Sequence, residues 1–297
     1  MASPTRRQLA VAVIGSTLVL LVAVAGYLAI HAVTPRPVAA PPPPPGCQAG
    51  TGLEAIPLGT GQAGIAATIA GVAARHRLGR QALTIAYATA LQESQLQDLD
   101  YGDRDSVGVF QQRPSQGWGT TAEIENPVYA TTKFFAALVQ VRGYATMPVN
   151  QAAQDVQHSA DGEAYQQWAD VAALLAGYFT GAPAASVSCW FSGSGQVHLA
   201  GAEKALTATF GPAGRGGVLA AITTERSVKK KEGSAAVVRV RRGAGWAVAS
   251  WLVAYAQQYG ISEVRYGGYV WHAADGSMGW QRDSPAPGQA RGDIVAS

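Results

Sequence analysis

Glu93 is the residue best placed by its neighbours to carry acid–base chemistry. It lies in Ala90-Leu91-Gln92-Glu93-Ser94, at the last turn of an apolar helical pattern, where the sequence passes into a stretch rich in glycine and aspartate. A helix C-terminus carries partial negative charge, and apolar neighbours disfavour the ionised form of a carboxyl, so both raise its pKa. A carboxyl that keeps its proton toward neutral pH can give it to a leaving oxygen, as a glycosidase requires. Such a donor is worth roughly 10² to 10⁴ in rate. Four aspartates follow: Asp98, Asp100, Asp103 and Asp105. Asp103 or Asp105 would serve as a second carboxylate, activating water for inverting hydrolysis, if it stood roughly 6.5–9.5 Å from Glu93. The same aspartates suit turn formation. Asp98-x-Asp100 begins like a calcium loop, but Val109 stands where the terminal Glu belongs, which excludes one. Trp118, in Ser115-Gln116-Gly117-Trp118-Gly119, suits either stacking on a sugar face or core packing.

The elements that must position these groups are mostly helical over 61–180. Ile65, Ile69, Val72, Ala73 and His76 recur at helical spacing, Gly79 interrupts, and Gln81 to Glu93 resumes with Leu83, Ala86, Tyr87, Ala90 and Leu91. Ser94 to Thr120 has the composition of a loop or short hairpin. Helices follow from Asn126-Pro127, with proline in the first turn, from Met147-Pro148, and from Glu163 to Phe179. After Cys189 the texture changes. Ser192-Gly193-Ser194-Gly195 predicts a linker over 190–198. Leu219–Ile222 and Val237–Val240 predict β segments, Gly245–Tyr259 an amphipathic helix, Val264–His272 one alternating strand, and Asp293–Ser297 a final strand. Residues 199–297 are therefore expected to form a small α+β domain.

Residues 10–32 form one apolar run interrupted only by Ser16, Thr17 and His31. As a helix it would reach about 35 Å, enough for the ~30 Å hydrocarbon core. Arg6 and Arg7 precede it, which predicts a cytoplasmic tail over 1–9 and everything after the span outside. The alternative is a cleaved signal peptide and secretion, but the run exceeds the roughly 7–15 apolar residues such a signal needs. Pro35 to Pro45 predicts an extended spacer within a linker over 33–46. With the chain outside the cell, Cys47 and Cys189 are expected to form a disulfide closing a loop worth roughly 4–5 kcal/mol. Lipid modification of Cys47 is disfavoured by the prolines that separate it from the apolar run. Two distant thiols, five histidines and three methionines predict neither a metal site nor a cofactor. The net charge of +3 suits adsorption to an anionic surface and is too small and scattered for nucleic acid. The basic cluster Lys229-Lys230-Lys231 with Arg239, Arg241 and Arg242 suits a solvated loop and strand edge.

Glu93-Ser94 taken with Ser106-Val107-Gly108-Val109-Phe110-Gln111 resembles the lysozyme-like superfamily, in particular its lytic transglycosylase and goose-type lysozyme branch. In that branch a helix ends in Glu-Ser and a Ser-x-Gly-(aliphatic)-(large)-Gln run follows in a hairpin-like segment. The resemblance covers about residues 60–180. Asn126-Pro127-Val128-Tyr129-Ala130 matches the start of a cleft-lining helix. Gln151 to Ser159, with Ala164-Tyr165 and Trp168, stands where the usual enzymes carry Ala-Tyr-Asn-Ala-Gly, and this departure leaves transglycosylation and hydrolysis both open.

The resemblance implies a mainly α lysozyme-like catalytic domain over 47–189, behind the N-terminal transmembrane helix and proline-rich linker and before the small α+β domain. It implies peptidoglycan glycan strands as substrate, cut between N-acetylmuramic acid and N-acetylglucosamine. Glu93 would protonate the scissile oxygen and then act as base, while the sugar's 6-hydroxyl attacks the anomeric carbon to give a 1,6-anhydro product. Gln111 would bond the substrate's N-acetyl groups or Glu93 itself, Ser106 and Gly108 would shape the loop, and Tyr165 or Tyr129 would bring a hydroxyl to the acid. Ser94, Gln112 and Trp118 complete the expected substrate-binding set. The alternative is a module that keeps the fold to bind glycan or an envelope protein without turnover. Segment 236–297 resembles a small C-terminal domain related to zinc peptidases ending in Asp-His-x-His. Here Asp293-Ile294-Val295-Ala296 lacks both histidines, and His272 with Asp275 makes no zinc site, so wall or partner binding, or a structural role, is expected of it.

Overall fold

The computed structural model describes residues 17–28, 43–159, 162–193, 195–214, 217–226, 234–241, 243–283 and 292–297. Two compact units divide the chain, Met1–Pro43 and Pro44–Ser297. In the first, helix α1 covers residues 17–28. No helix among the described residues is long and apolar enough to cross a membrane. This overturns the expected transmembrane helix over 10–32 and the single-pass cell-membrane location drawn from it. The rest of that run, Arg6 and Arg7, most of the proline-rich stretch, Lys229-Lys230-Lys231 and Arg242 lie outside the described residues.

The second unit is organised around helix α2 (Thr60–Arg75), buried from Ala63 to Ala73. Its sequence is largely Ala and Gly with Ile65, Ile69 and Val72, so neighbouring elements can approach its backbone. A Cβ on Gly64 would stand 3.2 Å from the Tyr255 ring, and one on Gly71 would collide with Thr209 and crowd Phe210. Packed on α2 are α3 (Arg80–Ser94), α5 (Pro127–Leu138), α7 (Ala169–Thr180), α8 (Leu199–Phe210) and α9 (Gly245–Ala254). Two short helices, α4 (Thr121–Ile124) and α10 (Ala256–Tyr259), and α6 (Val149–Gln157) complete the set. Asn126 caps α5, its Oδ1 accepting from the Val128 and Tyr129 amides at 3.0 and 3.3 Å, with Pro127 opening the first turn.

Two antiparallel sheets flank the helices. Strands β1 (Gly46–Ala49), β2 (Ile56–Leu58) and β3 (Val187–Trp190) run in the order β2-β1-β3. Cys47 faces Cys189 across the β1–β3 ladder, and the two form a disulfide. The larger sheet has the order β4-β5-β9-β6-β7-β8, built from Leu219–Arg226, Ser234–Val240, Glu263–Tyr266, Tyr269–His272, Gln281–Arg282 and Asp293–Ala296 as β4 to β9.

These sheets overturn the expected mainly α lysozyme-like domain behind a membrane helix. Nor do residues 190–198 separate two cores. The Trp271 indole, fully buried, donates to the Cys189 carbonyl at 3.0 Å, Ser188 donates to the Gly276 carbonyl at 2.6 Å, and the Tyr255 and Thr68 hydroxyls bond at 2.8 Å. The single strand expected over 264–272 is a hairpin, because Gly267 and Gly268 both take positive φ (62° and 80°), the conformation a two-residue primed turn needs. The helix expected over 163–179 begins instead as a 3₁₀ segment, Gly162–Trp168.

The disulfide joins residues 142 apart in sequence, so its loss should cost about 5 kcal/mol in the chain-entropy account. The Cys47→Ala/Cys189→Ala protein should melt on the order of 10 °C lower by differential scanning calorimetry. An unchanged melting temperature would show that the β1–β3 ladder closes the chain unaided.

Candidate active site

Helix α3 delivers Glu93 to a cleft of about 1030 Å³. The helix stops one residue later. Gln95 and Leu96 both take left-handed backbone (φ 54° and 57°), and the Gln95 and Leu96 amides return to the Leu91 and Ala90 carbonyls. The chain then runs into a short hairpin in which Val107 and Gln112 exchange backbone hydrogen bonds at 3.0 Å. Gly108 turns this hairpin at φ 76°, and a Cβ there would stand 2.7 Å from the Ile124 carbonyl. Phe110 stacks on Phe134 of α5 with centroids 4.5 Å apart, which fixes the hairpin to the helical core.

Two donors converge on one oxygen of Glu93. The Tyr165 hydroxyl donates to Oε1 at 2.6 Å. Gln157 Nε2 donates to the same oxygen at 3.3 Å and to the Phe110 carbonyl at 2.7 Å. Burial pushes the Glu93 pKa above the ordinary 4.5, and the bonds from Tyr165 and Gln157 oppose that rise without cancelling it. Tyr165, fully buried, is held by the 3₁₀ segment, which is pinned to α3 through Gln92. Gln92 Oε1 accepts from Trp168 Nε1 at 2.9 Å and Gln167 Nε2 at 3.1 Å.

The other expected site residues divide into three groups. Ser106, Gln111, Gln112, Trp118 and Asp103 line the cleft with Glu93. Gln111 does not reach Glu93; its amide donates to the Tyr101 and Gly108 carbonyls at 3.2 and 3.3 Å. Gln112 is buried, donates to the Ala130 carbonyl at 3.3 Å, and leaves its Oε1 buried without a partner. Ser94 is buried and structural: its hydroxyl donates to the Val109 carbonyl at 2.7 Å and accepts from the Gln97 amide, so it ties the helix end to the hairpin. Tyr129 supports the 118–119 turn, donating to the Trp118 carbonyl at 3.3 Å. Of the two tyrosines, Tyr165 therefore meets the acid.

The two aspartates differ sharply. Asp105 accepts from Arg113 Nε at 2.8 Å, the Ser115 amide at 2.7 Å and the Ser115 hydroxyl at 3.0 Å. These donors, Arg113 first, hold its carboxyl well below the usual range. With both oxygens engaged, it is a brace for the loop. Asp103 is largely solvent-exposed and pairs loosely with Arg104 at 3.8 Å. Among the described residues no group of three or more His, Cys, Asp or Glu is arranged to hold a metal.

Gln157 was not among the residues the sequence singled out. A signal was present: Ala153, Val156 and Gln157 share one helical face by their spacing, and Ala153 and Val156 are buried, so the polar tip at the end of that face enters the interior. No family model matches the chain, and no curated protein matches it.

Burial that raises the Glu93 pKa makes its ionised form a liability for the fold. The stability it withholds is present below the unfolded value near 4.5 and lost as pH rises through the folded value. Glu93→Gln should therefore melt roughly 1–3 °C above the native protein at pH 7.5 and level with it at pH 4. Equal melting at both pH values would contradict the buried-carboxyl account.

Proposed function

We propose that the Glu93 cleft cuts the glycan strands of peptidoglycan between N-acetylmuramic acid and N-acetylglucosamine, with Glu93 as a single general acid/base. The observation that carries this reading is a half-buried carboxyl of raised pKa, held by Tyr165 and Gln157, at the wall of a cleft large enough for several sugar units. A protonated carboxyl there donates to the glycosidic oxygen as the bond to the anomeric carbon breaks. The carboxylate left behind then removes the proton from the attacking hydroxyl. The resemblance of Glu93-Ser94 and Ser106 to Gln111 to the transglycosylase branch supplies the substrate class.

The resemblance supports attack by the sugar's own 6-hydroxyl, and the environment of the aspartates narrows its rival, attack by water. Asp105 is fully engaged by Arg113 and Ser115, and does not line the cleft. That leaves Asp103 as the one carboxylate from the expected pair able to activate water for hydrolysis.

The test is digestion of purified peptidoglycan by the whole chain, with mass spectrometry of the soluble products. Muropeptides with 1,6-anhydro ends are expected, and Glu93→Gln should lower kcat by about 10² to 10⁴. Asp103→Asn should keep activity within about threefold. Reducing ends, lost with Asp103→Asn, would shift the reaction to hydrolysis. No release of muropeptides from several wall sources would overturn the enzymatic reading in favour of a glycan-binding module.

A further inference from the structure

We propose that Gln157 is the positioning residue of this site, its amide fixing Glu93 Oε1 so that the catalytic proton is carried on and delivered from Oε2. The chemistry rests on the proposed glycan cleavage; the geometry stands independently of it. Gln157 ends α6, and the next residue, His158, turns the chain away with φ 51°. From that end its Nε2 reaches two acceptors on two other elements, Glu93 Oε1 on α3 and the Phe110 carbonyl in the hairpin. An amide nitrogen carries two hydrogens, so both bonds can form at once. One side chain thus sets the distance between the acid and the loop that lines the cleft.

Tyr165 donates to the same oxygen. With two donors on Oε1, a proton on that oxygen would compete with both for its lone pairs. Oε2 accepts no hydrogen bond from the described residues, so the neutral acid holds its proton there. In the transfer the O–H bond at Oε2 breaks and a new O–H bond forms on the glycosidic oxygen. That oxygen takes the electron pair of the breaking bond to the anomeric carbon. Glu93 is left as a carboxylate, and the donors on Oε1 stabilise the charge that appears at that moment. The charged and titratable groups sharing the cleft are Asp103, Arg104, Arg113, Asp155 and His158, and none of them bonds Glu93.

Removing the Gln157 donor leaves the carboxylate less well supported, so Glu93 must hold its proton to higher pH. The experiment is a carbon-13 NMR titration of the Glu93 carboxyl in the whole chain, native and Gln157→Met, which preserves length and removes the donor. The midpoint should rise by on the order of one pH unit, with kcat falling about tenfold or more and KM nearly unchanged. A merely structural contact would lower the melting temperature and leave the Glu93 titration where it was; that result would overturn the proposal. Should Gln157→Met give no cooperative melt, Gln157→Asn, one methylene too short to span both acceptors, must show the same upward movement or the proposal fails. The titration needs no turnover, so an absence of muropeptide release would count against glycan cleavage and not against the role of Gln157.

Discussion

The carboxyl of Glu93 is held between two opposed influences, and the surrounding structure serves their balance. Burial raises the free energy of the ionised form; two hydrogen bonds onto one oxygen lower it. Burial alone would leave an inert neutral acid. The hydrogen bonds alone would give an ordinary ionised carboxylate. The proposed cycle, in which the acid loses and regains a proton, needs a pKa near the working pH; burial moves the Glu93 pKa upward and the two hydrogen bonds oppose that rise. Each donor comes from a separate element, Tyr165 from a 3₁₀ segment and Gln157 from the end of α6. The geometry therefore depends on how those elements dock on α3.

That docking traces back to small residues and to a few polar pins. Helix α2 is buried along most of its length, and its glycines let Tyr255, Thr209 and Phe210 lie against its backbone. Around it α3 brings Glu93 to the surface of the core at a helix end, where the chain can leave without an unsatisfied turn. Gln92, one residue earlier, anchors the 3₁₀ segment, and Ser94, one residue later, anchors the hairpin. Three consecutive residues thus supply the acid and both of its fastenings. Asp105 performs a comparable task at the far side of the loop through Arg113 and Ser115.

Much of this was legible in the sequence where the signal was local. The helix whose last turn holds Glu93, the hairpin after it and the proline-started helices follow from periodicity, capping and turn chemistry, and the Cys47–Cys189 bond from the two cysteines. What the sequence hid was set by distant partners. Strands β1 and β3 are four residues each, too short for alternation to register, and they pair across nearly half of the chain. The Asp293–Ala296 strand lies inside the six-stranded sheet between β5 and β6, a position no local pattern announces. The break at 190–198 has a linker's composition, yet the residues beyond it bury Trp271 against the Cys189 carbonyl. An apolar run set the expectation of a membrane span, and no helix among the described residues is long and apolar enough to make one. Gln157 went unassigned, and Asp105 was left between a second carboxylate and a turn former, for one shared reason: their roles are fixed by which donors and acceptors the fold brings to them.

The central claim is that the protonation state of one carboxyl governs the reaction. The most direct measurement is the pH dependence of kcat/KM for muropeptide release, set beside the directly measured titration of Glu93. The account predicts that the basic limb falls at the Glu93 midpoint, above the ordinary value of 4.5. A basic limb that follows a different group, and stays in place when Glu93 is replaced by Gln, would contradict it.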